Sequence, residues 1–285
     1  MRADLACVVL GLGNPPELPA AVRSLLEQGE PVEVVVVNSG GGGAAASLSA
    51  MGLDVPVIEV SERLLPGAAR NRGIAATRAP FVAFLAADCL AEPGWAAARL
   101  RAHRAGVPAV ASAVTNPFRR NLAAWASYVV LFSRRMPGAP PADALRYGVS
   151  YERTLFDRFG LFREDLRGGE DTELHQRMAG EVAIAWEPAV RTAHRHPRRV
   201  AVLLADQYRR GARMAGAWGR LQGPRPAQVA ADALRRLPPD VKRAWRSADR
   251  KDRPWIAAAS LLLPAAALAY AAGALRPASP TEGSS

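Results

Sequence analysis

The first 115 residues alternate between short apolar runs, several rich in valine, and segments whose apolar residues have helical spacing. Strands that alternate with helices predict an α/β fold with a Rossmann-like, mostly parallel sheet and helices on both faces. Ligands bind such sheets beyond the carboxyl ends of the strands, where the sequence places Asn14, Asn38 and Asp88. The predicted strands are 5–10, 32–37, 55–60, 81–85 and 107–113, and the predicted helices are 18–28, 44–51, 67–77 and 95–104.

Composition is that of a globular protein and excludes extensive disorder, because 49% of the 285 residues are hydrophobic and 22% are charged. The two cysteines, Cys7 and Cys89, lie in apolar stretches and indicate a reducing compartment rather than a disulfide framework. The apolar run at 5–13 is too short for a secretory signal and follows Asp4, so we expect a buried strand there.

Positive charge is concentrated in the last third of the chain. Residues 191–253 contain 17 Lys and Arg against 5 Asp and Glu, whereas the rest of the chain contains 20 against 21. A basic segment of this kind suits nucleic acid, lipid headgroups or an anionic membrane. No recognised nucleic-acid-binding motif accompanies the charge, so a membrane surface is the expected partner and nucleic acid is not.

An uncharged stretch of 20 residues follows, at 256–275, between the cations Lys251 and Arg253 before it and Arg276 after it. A helix of that length can cross the roughly 30 Å hydrocarbon core of a bilayer. Cationic flanks on the upstream side would hold the preceding domain in the cytoplasm. The alternatives are a membrane helix, spanning or re-entrant, and an apolar helix packed on the globular domain.

Two segments before this stretch, 199–221 and 229–246, have apolar residues at helical spacing with basic residues between them. Such helices lie at membrane interfaces or on a solvated surface. Pro238 and Pro239 are expected to divide the second segment into two short helices. The predicted organisation is therefore a domain at 1–198, basic amphipathic helices at 199–253, an apolar membrane helix at 254–276 and a disordered tail at 277–285.

The glycines Gly11 and Gly13 after the first strand invite a dinucleotide-binding interpretation. That fingerprint is incomplete, because its third glycine is missing and prolines occupy the position where the helix should begin.

Four segments, in order, resemble family 2 glycosyltransferases, the inverting enzymes with the GT-A nucleotide-diphospho-sugar transferase fold. The resemblance covers roughly residues 5–215. Separately, the sequence contains 35 arginines against two lysines, which is typical of a GC-rich bacterial genome. The segments are VLGLGNPPEL at 9–18, EVVVVNSG at 33–40, ARNRG at 69–73 followed by FLAADC at 84–89 and PGW at 93–95, and GGEDTEL at 168–174.

The resemblance implies a set of nucleotide-binding residues in the first three segments. Three positions depart from the family pattern: Gly11 replaces a proline, Asn38 replaces an acid that contacts the base, and Ala86 replaces the first acid of a DxD motif. Asn38 can still donate and accept hydrogen bonds, and arginine guanidinium groups suit phosphate oxygens. The implied nucleotide-binding residues are Gly11, Asn14, Asn38, Gly40, Arg70, Arg72 and Asp88.

The resemblance also implies a divalent cation, Mg²⁺ or Mn²⁺, with Asp88 and His194 as its ligands. A cation at the diphosphate would neutralise the leaving group. With Ala86 in place of the first acid, we expect a weaker ribose contact and a retained metal site.

Asp171, with Glu170 before it, is the implied catalytic acid pair. Inversion requires the acceptor hydroxyl to lose its proton as it attacks, and a positioned carboxylate can accept that proton. The structural alternative is that both acids cap the helix that follows, because anions are stabilised at a helix N-terminus.

The predicted activity is that of a hexosyltransferase, which moves a sugar from a UDP- or GDP-sugar to a lipid-linked or envelope-glycan hydroxyl. Its predicted location is the cytoplasmic face of the bacterial cell membrane. The alternative is a membrane-tethered nucleotide- or glycan-binding module that has lost turnover, which the substitutions at Gly11, Asn38 and Ala86 would favour.

Overall fold

The computed structural model describes residues 3–220 and 225–276, with the side chains of 216–220 left aside. The expected tail at 277–285 and the last residue of the predicted segment 199–221 lie outside the described residues. The chain forms two compact units, which we call the first unit (Met1–Thr115 and Ala144–His194) and the second unit (Asn116–Asp143 and Arg195–Ser285). The predicted domain boundaries at 198, 253 and 276 remain predictions.

An eight-stranded sheet forms the centre of the first unit, in the order β3-β2-β1-β4-β7-β6-β8-β5. Strands β3, β2, β1 and β4 are parallel, β7 is antiparallel to both of its neighbours, and β5 is antiparallel to β8. The strands are β1 (Leu5–Leu12), β2 (Val32–Ser39), β3 (Val57–Val60), β4 (Phe81–Ala86), β5 (Cys89–Ala91), β6 (Ala109–Thr115), β7 (Ser150–Glu152) and β8 (Ile184–His194).

The α/β fold and all five predicted strands are confirmed, with bounds shifted by a few residues. The strands β5, β7 and β8 were not predicted. β5 and β7 are three residues long, and β8 contains Pro188 and pairs with β6 through a shift in register after Ser112, so none of them has a clean apolar pattern. The sheet is consequently more mixed than predicted.

Among the described residues, six helices cover the sheet of the first unit and six belong to the second unit. In the first unit they are α1 (Leu18–Leu26), α2 (Ala44–Ser49), α3 (Pro66–Ala76), α4 (Trp95–Arg104), α6 (Thr154–Phe159) and α7 (Glu170–Met178). In the second unit they are α5 (Leu122–Phe132), α8 (Val200–Arg220), α9 (Pro226–Arg235), α10 (Leu237–Ser247), α11 (Arg253–Ala259) and α12 (Leu263–Ala274).

Strand β1 lies at the middle of the core, and its side chains alternate between two hydrophobic clusters. Leu5, Cys7 and Val9 pack into one cluster, while Val8 packs into the other, so the sheet is covered on both faces as predicted. Helix α3 approaches β1 closely at Gly73, where a Cβ atom would overlap the side chain of Val8. This position therefore requires glycine and fixes α3 against the sheet.

The second unit is helical. The aromatic residues Trp125 and Tyr128 of α5 are buried in its core. The division of the segment 229–246 into two helices is also confirmed, but the break falls at Arg236, and Pro238 and Pro239 lie in the first turn of α10. Proline is compatible with the first turn of a helix, where its missing N–H has no intrahelical partner.

The segment Arg253–Ala274 comprises α11, a 3₁₀ turn (Ser260–Leu262) and α12, and by length and composition alone it could cross a membrane. In its most apolar window, 39% of the residues are buried against the protein. Helices α8 and α12 cross in close backbone contact, because a Cβ on Gly211 would overlap the carbonyl oxygen of Tyr270 and one on Gly273 would overlap that of Tyr208.

The buried imidazole of His103 predicts a loss of stability in acid. Its ring stacks on Phe81, its Nδ1 lies 2.7 Å from the carbonyl oxygen of Val107, and its Nε2 lies 2.8 Å from the hydroxyl of Ser150. Burial lowers the pKa of His103 from 6.5 to about 4. Because the unfolded chain binds this proton at higher pH, the free energy of unfolding should fall as the pH drops from 6.5 to 4, by up to about 3 kcal/mol.

Urea unfolding across this pH range measures the effect, with His103→Phe as the variant. The variant should be less stable at neutral pH and should lose part of the pH dependence. An unchanged slope of unfolding free energy against pH would contradict the assignment.

Candidate active site

The carboxyl ends of β1 and β2 meet a glycine loop. The four glycines from Gly40 to Gly43 all have positive φ angles, between 67° and 101°, and Asn14 has a φ of 53°. The side chain of Asn14 donates to the carbonyl oxygen of Gly42 at 2.9 Å, and a Cβ on Gly42 would lie 2.8 Å from that of Asn14. Left-handed backbone and close approach both explain the glycines, and the loop is ordered by hydrogen bonds.

Asn38 is fully buried beneath this loop, and its amide is used inside the protein. Its Oδ1 accepts from the backbone N–H of Asn14 at 3.0 Å, and its Nδ2 donates to Gly41 at 2.7 Å and to Glu59 at 3.1 Å. Gly11 lies beside Asn38 in the sheet, and a Cβ there would come within 2.8 Å of Oδ1. Asn38 therefore supports the glycine loop from the side of the sheet, and Gly11 leaves room for the Asn38 side chain.

Glu59 of β3 is a residue that sequence reasoning missed. Its carboxylate accepts hydrogen bonds from Asn38 and from the backbone N–H of Ala45 in the first turn of α2. Glu59 is exposed and pairs with Asn38 in the register of β2 and β3. An acid is therefore present at this edge, supplied by the neighbouring strand. The signal that could have found it is a charged residue in an otherwise apolar short strand.

The two arginines of α3 have different environments. Arg70 is largely buried, forms an ion pair with Glu170 at 3.1 Å, and lies over the rings of Phe84 and Phe162 at 5.3 and 5.0 Å. Arg72 is exposed. Only Arg72 is thus presented to solvent, while Arg70 connects α3 to β4 and to α7.

Asn71, between these arginines, holds the loop that leads to α7. Its side chain accepts from the backbone N–H of Phe162 at 3.1 Å and donates to the carbonyl oxygen of Phe162 at 2.9 Å and to Glu164 at 2.8 Å. One turn earlier, a Cβ on Gly67 would overlap the carbonyl oxygen of Arg163. Helix α3 thereby positions the segment that carries the acid pair.

Glu170 and Asp171 begin helix α7, where the sequence places the start of a helix, and their environments differ. Glu170 is buried and paired with Arg70. Burial raises the pKa of Glu170, and the charge of Arg70 opposes that rise. Asp171 is partly exposed, and its Oδ1 accepts from the backbone N–H of Thr172 at 2.9 Å. The ion pair therefore occupies the carboxylate of Glu170, while the carboxylate of Asp171 is partly exposed.

An open cleft of about 270 Å³ lies along α7, and Thr172, the residue after Asp171, is part of its lining. His175, one turn after Asp171, accepts or donates a hydrogen bond with the hydroxyl of Tyr151 at 2.8 Å. Burial lowers the pKa of His175, and the charge of Asp171 opposes that shift. The cleft is lined by Leu145, Arg146, Tyr147, Thr172, His175, Gln176 and Ala179.

A second group of side chains gathers where β5 pairs with β8. His194 Nε2 lies 3.5 Å from Asp88 Oδ2, and Cys89 Sγ lies 3.5 Å from Asp88 Oδ1. Cys89 and His194 are directly opposite each other in the antiparallel pair. One ligand atom from each of the three residues lies within 4.8 Å of the others, so carboxylate, imidazole and thiol fit a divalent cation. Asp88 and His194 were predicted together, and Cys89 was missed.

The neighbouring His196 has a different role. It is buried in the second unit, where its Nδ1 lies 3.1 Å from the hydroxyl of Ser127. Of the two histidines in this stretch, only His194 lies beside Asp88.

Comparison with known proteins identifies the chemistry that this fold carries. Residues 12–150 match the family model described as glycosyl transferase family 2. The chain carries a family 2 glycosyltransferase domain. The resemblance predicted from four short segments is thereby confirmed, and so is the classification of the chain as a glycosyltransferase, which uses a nucleotide-sugar.

Two solved structures show that this glycosyltransferase has the GT-A fold. The mannosyltransferase PcManGT from Pyrobaculum calidifontis, in complex with GDP-Man and Mn²⁺, is 21% identical, with a TM-score of 0.55, and the match covers 98% of this chain and 77% of that one. TarS 1–349 of S. aureus is 14% identical, with a TM-score of 0.54, and the match covers 85% of this chain and 69% of that one. Among curated proteins, the search found no match to this chain.

The cluster at the β5–β8 pair predicts a measurable cation site in the glycosyltransferase. Asp88→Ala and His194→Ala should each weaken Mn²⁺ binding by at least about 10-fold, because each removes a candidate ligand and even outer-shell partners of a metal contribute roughly 10- to 100-fold. Titration of the full chain with Mn²⁺, followed by the electron paramagnetic resonance signal of the free ion, measures this directly. Asp54→Ala, at an exposed acid elsewhere in the first unit, is the matched control. Equal affinities in all four proteins would contradict the site.

Proposed function

We propose that this glycosyltransferase moves a sugar from a nucleotide-diphospho-sugar to an acceptor hydroxyl with inversion, and that Asp171 is its general base. The observation that carries the proposal is the difference in environment between two neighbouring acids, Glu170 and Asp171. Arg70 neutralises the buried Glu170, while the partly exposed Asp171 keeps one carboxylate oxygen without a described hydrogen bond.

In this reaction one bond to the anomeric carbon forms while another breaks. The acceptor oxygen forms a bond to that carbon as its proton passes to the Asp171 carboxylate. The bond from the carbon to the phosphate oxygen breaks, and the nucleoside diphosphate leaves with the electron pair. Attack from the face opposite the leaving group inverts the configuration.

The donor is expected to bind at the carboxyl ends of β1, β2 and β4. Asn14 and Gly40 contribute to the ordered loop there, with Gly11 and Asn38 beneath it. Arg72 is the exposed arginine that can reach phosphate oxygens. GDP- and UDP-sugars are the candidate donors, and the GDP-Man complex of PcManGT supports the first of them.

Asp88 and His194 are proposed to hold a divalent cation, Mg²⁺ or Mn²⁺, with the thiol of Cys89 beside them. When bound, such a cation stabilises the negative charge of the departing diphosphate. The Mn²⁺ in the PcManGT complex supports this assignment. Ala86 removes the acid two residues before Asp88, so Asp88 would supply the carboxylate of this motif without that neighbour.

The proposed acceptor is a lipid-linked or envelope glycan at the cytoplasmic face of the bacterial cell membrane. The basic segment at 191–253 and the uncharged stretch at 256–275 support a membrane location. The anionic lipids of the cytoplasmic leaflet attract a basic segment of this kind, which supports the cytoplasmic side.

Replacement of the proposed base tests the reaction. Asp171→Asn should slow release of nucleoside diphosphate from GDP-mannose or UDP-glucose, assayed with bacterial membrane lipids, by roughly 100- to 10,000-fold. Nucleotide affinity, measured by calorimetry, should stay unchanged, because the substitution keeps the shape of the side chain. Glu173→Gln is the matched control on the same helix, where Glu173 forms an ion pair with Arg177 at 2.9 Å.

Two outcomes would contradict the proposal. A wild-type rate in Asp171→Asn would remove Asp171 as the base. A wild-type protein that binds nucleotide but releases no product from either donor would instead favour a binding module that has lost turnover.

A further inference from the structure

The segment α11–α12 has two apolar faces, and the described residues of the second unit cover only one of them. No charged residue occurs between Pro254 and Leu275. The covered side includes Ile256, Ala259, Leu263, Ala266, Ala267 and Ala274. On the other side lie three exposed leucines, which we call the leucine stripe: Leu261, Leu268 and Leu275, with 83%, 58% and 56% of their surface exposed.

The spacing of the leucine stripe places its members on one side of the segment. They recur every seven residues, or about two helical turns, and Ala257, Ala265 and Ala272 are exposed between them. A helix at the surface of a water-soluble unit normally presents polar residues to solvent. A continuous apolar face of this kind marks a contact with a partner or a membrane.

Close packing against α8 argues that the segment does not cross a bilayer. Gly211 and Gly273 bring the two helix backbones together at the crossing. Helix α8 carries Arg209 and Arg213 near this crossing, and both are exposed. If α12 spanned the hydrocarbon, it would draw these charges toward the bilayer core, at a cost of roughly 2.5–3.5 kcal/mol for each one at the centre.

Charge decides between a membrane and a second copy of the chain as the occupant of this face. The second unit contains 21 Lys and Arg against 7 Asp and Glu, a net charge of +14. The exposed cations Lys251 and Arg276 lie at the two ends of the segment. A second copy would bring two such units together, whereas an anionic leaflet supplies the opposite charge.

We infer that the leucine stripe inserts shallowly into an anionic lipid leaflet, with α11–α12 lying along the interface while its other face stays on α8. This deepens the membrane location in the proposed function and rests on it, but it does not depend on the sugar-transfer chemistry. The ligand is a bilayer surface with acidic headgroups, bound by apolar insertion together with cationic contacts.

Vesicle binding by the full chain tests this inference. The wild-type protein should sediment with vesicles of phosphatidylcholine and phosphatidylglycerol, and less with phosphatidylcholine alone. The triple variant Leu261→Ser, Leu268→Ser, Leu275→Ser should lose at least about 100-fold in partition coefficient, because three leucines no longer leave water. Met51→Ser with Leu161→Ser, at exposed apolar residues of the first unit, is the matched control and should bind as the wild type does.

Additional measurements separate the alternatives. The triple variant should keep the far-ultraviolet circular dichroism and the thermal unfolding transition of the wild type, which shows that it is folded. Asp171→Asn should bind vesicles normally even if the proposed reaction fails. The bound wild-type protein should be released by alkaline carbonate, and retention after that wash would overturn the inference in favour of a spanning helix. The inference would also be overturned if the triple substitution left vesicle binding unchanged. It would be overturned as well if the wild-type protein were a dimer in lipid-free solution and the triple variant a monomer.

Discussion

The ion pair between Arg70 and Glu170 is the interaction on which the arrangement of α3 and α7 depends. It joins α3 to the first residue of α7, and the same guanidinium lies over Phe84 of β4 and Phe162. Removal of one partner from a buried pair typically costs 3–5 kcal/mol, because the remaining charge is left uncompensated. Its effect here is to hold the start of α7 at a defined place, so that Asp171 is presented in a partly exposed position.

Asn71 and two glycines make that ion pair possible. Gly73 lets α3 approach Val8 on β1, Gly67 lets it approach Arg163, and Asn71 binds the backbone of Phe162 on both sides. Within the ARNRG segment, Arg70, Asn71 and Gly73 therefore connect the sheet to the acid pair. At the β5 edge of the sheet, the pairing of β5 with β8 performs a comparable task, because it brings His194 next to Asp88 and Cys89, about a hundred residues earlier in the chain.

The sequence predicts those elements and groupings that depend on a local pattern of residues. The valine-rich strands β1 and β2, the helix that follows Gly169 and the grouping of Asp88 with His194 were all anticipated. It could not predict contacts that depend on register, such as the hydrogen bond of Asn38 to Glu59 across β2 and β3. Nor could it foresee that Arg70 is engaged by Glu170, because the two residues are brought together only when α7 packs beside α3. The short strand β7 and the irregular β8 lack the periodicity that predicts strands.

The central claim is that the edge formed by β1, β2 and Asp88 is a working nucleotide-sugar site. Calorimetric titration of the full chain with GDP and with UDP, each with and without Mn²⁺, tests it most directly. The account predicts that one nucleotide binds well only when Mn²⁺ is present, and that Asp88→Ala abolishes this dependence. Failure of both nucleotides to bind under any metal condition would contradict the account, because no donor could then occupy the site.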